Sequence, residues 1–209
     1  MFEDLNGSSD ALGFDGFVVA CYSRHPLTRK LKSLMSATEH TQVIGIFEAS
    51  ISTALSLPPP RWGENIEKFG IVTTGKYWEE TLTQGVLDFL GCENIASCKR
   101  FKGVESTGLS AAELHTSPLP EVRNRITEAT KRLVKDRDVG VVCLGCAGMS
   151  GMDAIVREAC VEELGKVLGN QVHIIDGVKA GIALVDGFVR HHSQGTMPNP
   201  LGQVVENVV

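Results

Sequence analysis

The sequence predicts an α/β protein in which parallel strands alternate with helices. Short apolar runs without polar alternation, such as VGVVCL at 139–144, are typical of strands buried on both faces of a parallel sheet. Stretches with helical periodicity follow these runs, and short glycine-containing turns join the two. Two of the strand–helix units carry a cysteine at the junction, Cys21 in one and Cys146 in the other, which suggests two similar halves.

The first half of the chain contains two predicted strand–helix units and a proline-rich stretch. Pro26 suits the first turn of a helix, and Glu48 stabilises the start of another. The stretch LPPPRWG at 57–63 cannot form regular ladder hydrogen bonds, so we interpret it as a crossing between domains. In chain order the predictions are an irregular lead-in at 1–13, a strand at 14–20, a helix at 26–35, a strand at 42–47, a helix at 48–55 and the crossing.

The second half continues the alternation. Lys102 to Pro118 is a long irregular segment, of the kind that often forms a lid or a binding loop. In chain order the predictions are a strand at 68–75 that ends near paired threonines, a helix at 78–90, a strand at 94–101, this irregular segment, a helix at 121–135, the strand at 139–144, a helix from Met152, a strand at 172–176 and a helix at 178–190.

Composition and charge narrow the class of partner. The 209 residues are 43% hydrophobic and 22% charged, which is ordinary for a globular protein. The net charge of −5 leaves no basic stripe for a phosphate backbone, so we expect a small-molecule partner rather than nucleic acid. No apolar run approaches the roughly 20 residues that span a bilayer, and the acidic start differs from a signal peptide. We therefore expect no membrane partner and a cytoplasmic location.

The strongest candidate for chemistry is the junction that follows Val139–Leu144. Cys146 falls just past the predicted carboxyl end of this strand, where ligands bind in open α/β sheets. Gly145, Gly148 and Gly151 allow the backbone to turn sharply there and to approach a ligand. Backbone N–H groups and the positive end of the following helix favour a thiolate, so the sequence predicts that Cys146 acts as a base or nucleophile near neutral pH.

Two kinds of cysteine site share part of this pattern. Cys143 and Cys146 form a C-x-x-C motif, but a zinc site needs a second pair at similar spacing. Cys92 and Cys98 are too far apart along the chain and belong to another unit. A thioredoxin-type dithiol places both sulfurs near a helix start, whereas Cys143 is predicted to lie inside the strand and to be buried.

The glycines of the same turn are also compatible with a phosphate site. Asp176, at the end of the next predicted strand, resembles the acid that binds ribose in dinucleotide folds. The dinucleotide fingerprint has a single residue between its first two glycines, whereas Gly145 and Gly148 are three apart. The nucleotide interpretation is therefore the weaker one.

Cys21 occupies the equivalent junction in the first half of the chain. A cysteine at a strand end is often structural, but its correspondence with Cys146 favours two thiols that face each other across a cleft. Thr73 and Thr74 end another predicted strand, where their hydroxyls can bind a carboxylate or an imide, although β-branched residues are common in strands. The solitary His115 is interpreted as a surface or supporting residue rather than a catalytic one.

Four motifs, in chain order, resemble those of a known family. They are DGFVVACYS around Cys21, VIGIFEAS around Glu48, KFGIVTTG at 68–75 and VVCLGCAGM around Cys146. Together they resemble the Asp/Glu/hydantoin racemase superfamily, specifically its hydantoin and allantoin racemase branch, over Asp15 to Val189. The resemblance implies two similar three-layer α/β/α domains with mainly parallel sheets, an active-site cleft between them, no cofactor and a homo-oligomer.

The resemblance also implies domain bounds and a set of site residues. The first domain would comprise residues 1–65 plus 176–209, and the second residues 66–175. In such enzymes one cysteine removes the proton from the substrate's stereocentre and the other returns a proton to the opposite face, while donors stabilise the enolate charge. By position, the catalytic roles fall on Cys21 and Cys146, and the substrate-binding roles fall on the backbone N–H groups of Tyr22, Ala147 and Gly148 and on Thr73 and Thr74.

The start of the chain departs from the family pattern. Family members resemble one another in a first strand that ends in an Asn-Pro-Asn-type loop, whereas MFEDLNGSSDALG stands here. We therefore expect the first domain to lack its N-terminal strand. The implied activity is racemisation of a hydantoin or an allantoin-like ureide. The alternatives are a related isomerase or decarboxylase, an amino-acid racemase, or an inactive protein that binds a small ligand.

Overall fold

A computed structural model describes residues 14–35, 41–57 and 68–194 of the chain. The predicted lead-in at 1–13 and most of the predicted proline crossing, from 58 onward, lie outside these residues. Strands and helices alternate along the described part. Their bounds are β1 Gly16–Val19, α1 Pro26–Met35, β2 Gln42–Gly45, α2 Ile46–Ser56, β3 Lys68–Thr73, α3 Tyr77–Leu90, β4 Phe101–Ser106, α4 Glu113–Thr116, α5 Leu119–Val134, β5 Val139–Leu144, α6 Asp153–Leu164, α7 Lys166–Gly169, β6 His173–Asp176 and α8 Gly177–Gln194.

The strands form two parallel sheets, which confirms the predicted α/β class. β1 pairs with β2 in a two-stranded sheet, and the other sheet has the strand order β4-β3-β5-β6. Within the described residues the first sheet thus has two strands, and the expectation about an N-terminal strand concerns residues outside them. None of the helices in the described ranges combines the length and hydropathy that a bilayer span requires.

The four-stranded sheet is covered by helices on both faces. Alternate residues of its strands belong to two different hydrophobic cores, one on each face of the sheet, because successive side chains of a strand point to opposite faces. Val72, Val142 and Leu144 pack with α5 and α6, whereas Ile71 and Cys143 pack with α2 and α3. This burial on both faces explains the continuous apolar run of β5, which is buried along its whole length.

The last helix returns to the first sheet. α8 begins directly after β6 of the second sheet, yet it packs against β1, β2 and α2. This path agrees with a first domain that includes residues beyond 175, although the domain bounds themselves stay a prediction. One core is continuous between the sheets, since Ile44 and Phe47 share a buried cluster with Phe69 and Ile175.

The predicted strand at 94–101 is wrong. Residues 94–100 form turns, in which the side chain of Asn94 accepts a hydrogen bond from the N–H of Ser97 at 2.9 Å. The strand is instead β4, which begins at Phe101 and extends to Ser106, into the segment 102–118 that the sequence predicts to be irregular. β4 lies at the edge of its sheet and carries Lys102 and Glu105, which form ion pairs with groups outside the strand. Its polar residues therefore hide the apolar signal of a strand.

The order of the strands determines where a ligand can enter. The chain passes from β3 to β4 on one side of β3, and then to β5 on the other side. The connections that leave the carboxyl ends of β3 and β5 consequently diverge, and such a switch point leaves a crevice at the edge of an open sheet. Thr73 ends β3, and Thr74 and Cys146 follow these two strand ends.

Candidate active site

Cys146 lies in a tight turn at the end of β5. The N–H of Gly145 donates to the carbonyl of Val72 at 2.7 Å, so the pairing of β5 with β3 continues for one residue beyond the strand. Cys146 has extended backbone angles and is followed at once by the 3₁₀ turn Ala147–Met149. The thiol is therefore presented at the switch point between β3 and β5.

The pKa of the Cys146 thiol is raised above its ordinary value, contrary to the expectation of a favoured thiolate. Burial is the main cause, and the thiol of Cys21 adds to it. The N–H groups of Gly148 and Met149 face the sulfur and lower the pKa, but the Cys146 side chain forms no capping hydrogen bond with the 3₁₀ turn. The first long helix after the turn begins only at Asp153, so its dipole does not act on the sulfur at short range.

Cys21 lies close to Cys146 although the two residues follow strands of different sheets. Its thiol is half-buried in the loop after β1, and its sulfur lies 3.5 Å from the hydroxyl oxygen of Ser23. The charge of a Cys21 thiolate is felt at Cys146, where it raises the pKa. The structure thus brings together the two residues that the sequence singled out.

The side chain of Tyr22 anchors the Cys21 loop. It is 5% exposed, its ring packs edge-on against Phe47 with centroids 5.6 Å apart, and its hydroxyl is hydrogen-bonded to the hydroxyl of Ser50 at 2.7 Å. Burial, together with the neighbouring Cys143 thiol, raises the pKa of Tyr22 well above its usual value. Cys143 lies inside β5 and is fully buried, as predicted, and burial raises its pKa to about 12.

We expect Tyr22→Phe to lower the free energy of unfolding by about 1–2 kcal/mol, because it removes one partner of a buried hydrogen bond and leaves Ser50 without that partner. Urea unfolding followed by circular dichroism measures this change. Tyr77→Phe is the matched control, since Tyr77 is 76% exposed and should change stability by less than about 0.5 kcal/mol. Equal stabilities of the two variants would contradict the anchoring role.

Thr73 and Thr74 support the same site from β3. The hydroxyl of Thr73 donates to the carbonyl of Gly145 at 2.8 Å, which fixes the residue before Cys146. The carbonyl of Thr74 accepts hydrogen bonds from the N–H of Gly108 and from the hydroxyl of Thr107. Both threonines are buried. Their contact with a substrate, like that of the backbone N–H groups of Tyr22, Ala147 and Gly148, stays a prediction.

Asp176 is a further site residue, and its role was not found from the sequence. One carboxylate oxygen accepts hydrogen bonds from the hydroxyl of Ser150 at 2.7 Å and the N–H of Gly151 at 3.2 Å. The other accepts from the N–H groups of Val178 and Lys179 at the start of α8. The carboxylate thus joins the end of the Cys146 turn to a helix N-terminus, a structural role rather than the ribose contact of a nucleotide fold.

We expect Asp176→Asn to lower the free energy of unfolding at pH 7 by about 2 kcal/mol, because an amide cannot accept hydrogen bonds on both of its heavy atoms. Burial raises the pKa of Asp176, but these four donors more than offset it and hold the pKa below its usual value. The stabilisation is therefore present above the unfolded-state pKa near 3.9 and is lost as the pH falls through the lower folded-state value.

Urea unfolding of both proteins between about pH 3 and pH 7 checks this prediction. The difference between wild type and Asp176→Asn should shrink as the pH falls. Asp186→Asn is the control, since Asp186 is an exposed residue of α8 that pairs with Arg190 and should matter by less than about 1 kcal/mol. A difference that stays constant with pH would contradict the assignment.

The described residues offer no group of three or more histidine, cysteine and acidic side chains suited to a metal ion. Cys92 and Cys98 are six residues apart in the chain, and the turns before β4 bring their side chains into contact. Their sulfurs lie 2.6 Å apart. Burial is the main cause that raises the pKa of Cys98 to about 11, and the contact with Cys92 adds to it.

The described residues form an α/β protein with a topological switch point at the carboxyl ends of parallel strands, and a half-buried thiol follows a strand of each of the two sheets. The chain belongs to the Asp/Glu/hydantoin racemase family, whose model matches residues 1–185. This membership confirms the resemblance carried by the four sequence motifs.

Several proteins are similar to this chain in sequence. An uncharacterized protein of Schizosaccharomyces pombe is 38% identical over 176 residues, which cover 84% of this chain and 63% of that protein. Protein DCG1 of Saccharomyces cerevisiae is 31% identical, with coverage of 66% and 53%. The hydantoin racemase of a Pseudomonas strain is 27% identical, with coverage of 85% and 59%. The chain thus spans less than two thirds of the length of these relatives.

Solved structures share the fold. The allantoin racemase of Pseudomonas fluorescens superposes with a TM-score of 0.65 at 23% identity, covering 94% of this chain and 71% of that one. The allantoin racemase of Klebsiella pneumoniae gives a TM-score of 0.60 at 24% identity, with coverage of 88% and 62%. At these identities the likeness concerns the fold alone.

Proposed function

We propose that the protein is an isomerase that inverts the stereocentre of a hydantoin or an allantoin-like ureide by proton transfer between Cys21 and Cys146. The observation that carries the proposal is that a half-buried thiol follows a strand of each of the two sheets, with Cys21 near enough for its charge to raise the pKa of Cys146. Inversion at a carbon beside a carbonyl requires a base on one face of the carbon and an acid on the other. Two thiols that follow strands of separate sheets can act on opposite faces of the same carbon.

The reaction is balanced within the pair of sulfurs. One cysteine, as thiolate, takes the hydrogen from the stereocentre as a proton, so that an S–H bond forms and the electron pair of the C–H bond moves into an enolate. The other cysteine, as thiol, then gives its proton to the opposite face of the same carbon. Which sulfur is charged at the start depends on the enantiomer that binds, because the two groups are of the same type.

The coupling of the thiols supports this division of roles. The charge of Cys21 raises the pKa of Cys146, so a second negative charge in the site is disfavoured once one sulfur is ionised. A pair that holds one proton is the protonation state that the reaction needs. The N–H groups of Gly148 and Met149, which face the sulfur, stabilise it whenever Cys146 is the charged member.

The substrate class is supported by the relatives. The similar proteins whose names state an activity include a hydantoin racemase and two allantoin racemases. Hydantoin and allantoin contain the same five-membered ring, with a stereocentre beside a carbonyl. The buried Thr73 and Thr74 at the end of β3 are the groups we assign to holding this ring.

The test is incubation of the purified protein with optically pure hydantoins, allantoin and aspartate, followed by polarimetry against a protein-free blank. We expect the optical rotation of a hydantoin or of allantoin to decay to zero, with solvent deuterium incorporated at the stereocentre in D₂O. Decay with aspartate alone would indicate an amino-acid racemase. Binding without decay or exchange for every compound would indicate an inactive ligand-binding protein and would overturn the proposal.

A further inference from the structure

The short helix α4 places a histidine beside the Cys146 turn. α4 contacts the 3₁₀ turn Ala147–Met149. A Cβ atom built on Gly148 would lie 3.2 Å from Nε2 of His115 and 3.6 Å from Sγ of Cys146. Both atoms therefore lie next to Gly148 and are at most about 6.8 Å apart, a separation that one bridging water can span.

The segment that carries His115 is held in place by hydrogen bonds on its N-terminal side and by the burial of Leu114. Ser110 and Glu113 form a capping box, in which the N–H of Ser110 donates to the carboxylate of Glu113 at 2.7 Å and the N–H of Glu113 donates to the hydroxyl of Ser110 at 3.2 Å. Leu114 is buried, and the N–H of Thr107 donates to the carbonyl of Thr73 at 2.9 Å. The position of His115 is therefore built into the fold.

The two side chains differ in their access to solvent. His115 is exposed, whereas the thiol of Cys146 is half-buried. An imidazole can accept a proton on one nitrogen while it releases another from the second nitrogen. It is thus suited to carry protons between a recessed sulfur and water.

We infer that His115 relays protons between Cys146 and solvent between turnovers, an inference that rests on the proposed racemase function. At the end of one inversion the former base carries a proton and the former acid has lost one. The same enantiomer cannot react again until both sulfurs have returned to their starting states. His115 performs this return at Cys146.

The relay is balanced in both directions. When Cys146 holds the surplus proton, its S–H bond breaks as the proton passes to a bridging water, that water gives a proton to Nε2 of His115, and the proton on Nδ1 passes to bulk water. When Cys146 lacks a proton, bulk water supplies one to Nδ1, the proton on Nε2 passes to the bridging water, and that water gives a proton to the sulfur. The groups that act on the exchange are the thiol of Cys21, which raises the pKa of Cys146, and the carboxylate of Glu113 in α4, whose pKa is lowered chiefly by the N–H of Ser110.

The kinetic test is His115→Gln in weakly buffered solution. We expect kcat at saturating substrate to fall about tenfold, because the return of the enzyme then limits turnover. kcat/KM at low substrate should change by less than about twofold, since the sulfurs of the free enzyme regain their starting protonation states before the next substrate binds. Added free imidazole should restore kcat. A loss confined to kcat/KM, or a loss that imidazole does not restore, would overturn the relay. His191→Gln, at an exposed position of α8, is the control.

A second measurement needs no substrate and separates the relay from the proposed function. The rate of alkylation of Cys146 by iodoacetamide is followed by peptide mass spectrometry between about pH 6 and pH 8. Because an imidazolium beside the sulfur stabilises the thiolate, we expect Cys146 to react at least about threefold faster in wild type than in His115→Gln at the lower end of this range. Equal rates across this range would overturn the relay, whereas absence of racemisation with this difference intact would overturn only the proposed function.

Discussion

Serine in place of either Cys21 or Cys146 is expected to lower the rate of racemisation by about 10³-fold, because an alcohol is far too weak an acid to be ionised or to exchange protons with carbon near neutral pH. Each single variant keeps one group of the pair and loses the other, so inversion stops in both directions. In the double variant no base remains on either face. Solvent deuterium incorporation at the stereocentre should therefore disappear there as well.

The measurement combines polarimetry with deuterium exchange followed by NMR. Cys92→Ser is the matched control, since Cys92 is also half-buried but lies in the turns before β4. That variant should retain activity within about twofold, and all four proteins should unfold at similar urea concentrations. Deuterium exchange that persists in the double variant would remove the two-thiol mechanism.

The parts of the fold that sequence alone predicts are those whose signal is local. β5 is buried on both faces and has an unbroken apolar run, and α5 shows one apolar stripe along its length. The position of Cys146 just past β5 follows from the bounds of that strand, as does the burial of Cys143 within it. β4 was missed because an edge strand with ion-paired side chains loses this local pattern.

The parts that were missed depend on contacts between residues far apart in the chain. The hydrogen bond from Thr73 to Gly145 spans 72 residues, and that from Ser150 to Asp176 spans 26. The hydrophobic periodicity of the sequence does not indicate which distant residues form such hydrogen bonds. The placement of His115 beside Gly148 belongs to the same class, since it depends on how α4 lies over another loop. Spacing in the sequence therefore indicated the two candidate sulfurs but not the groups that hold them in place.

The direction of the Cys146 pKa shift is a further property that the sequence alone does not predict. The sequence places a helix after the cysteine, and a helix N-terminus favours a thiolate. In the structure a 3₁₀ turn of three residues intervenes, and burial with a neighbouring thiol outweighs the two N–H groups that face the sulfur. Burial of the sulfur, first of all, and then the distance to α6 and the presence of Cys21 decide the sign, and spacing in the sequence reveals none of them.

Alanine in place of Gly145 is expected to lower the free energy of unfolding by about 3 kcal/mol and to reduce racemisation as well. A Cβ atom at this position would lie 2.6 Å from a methyl carbon of Ile71, 2.9 Å from the carbonyl oxygen of Val72 and 3.0 Å from the Cβ atom of Thr73. Two of these atoms are held rigidly in or next to the backbone of β3, so the new methyl group must push the end of β5 away from it.

That displacement would carry the adjacent Cys146 with it, and a misplacement of about 1 Å at a reacting group can cost about 10²-fold in rate. Urea unfolding and the polarimetric assay measure the two effects. Gly75→Ala is the matched control. Gly75 lies shortly after the end of β3, and a Cβ atom there would have no atom within 4 Å apart from its neighbours in the chain. A Gly145→Ala protein that is less stable but fully active would show that Cys146 is positioned independently of the contact between β3 and β5.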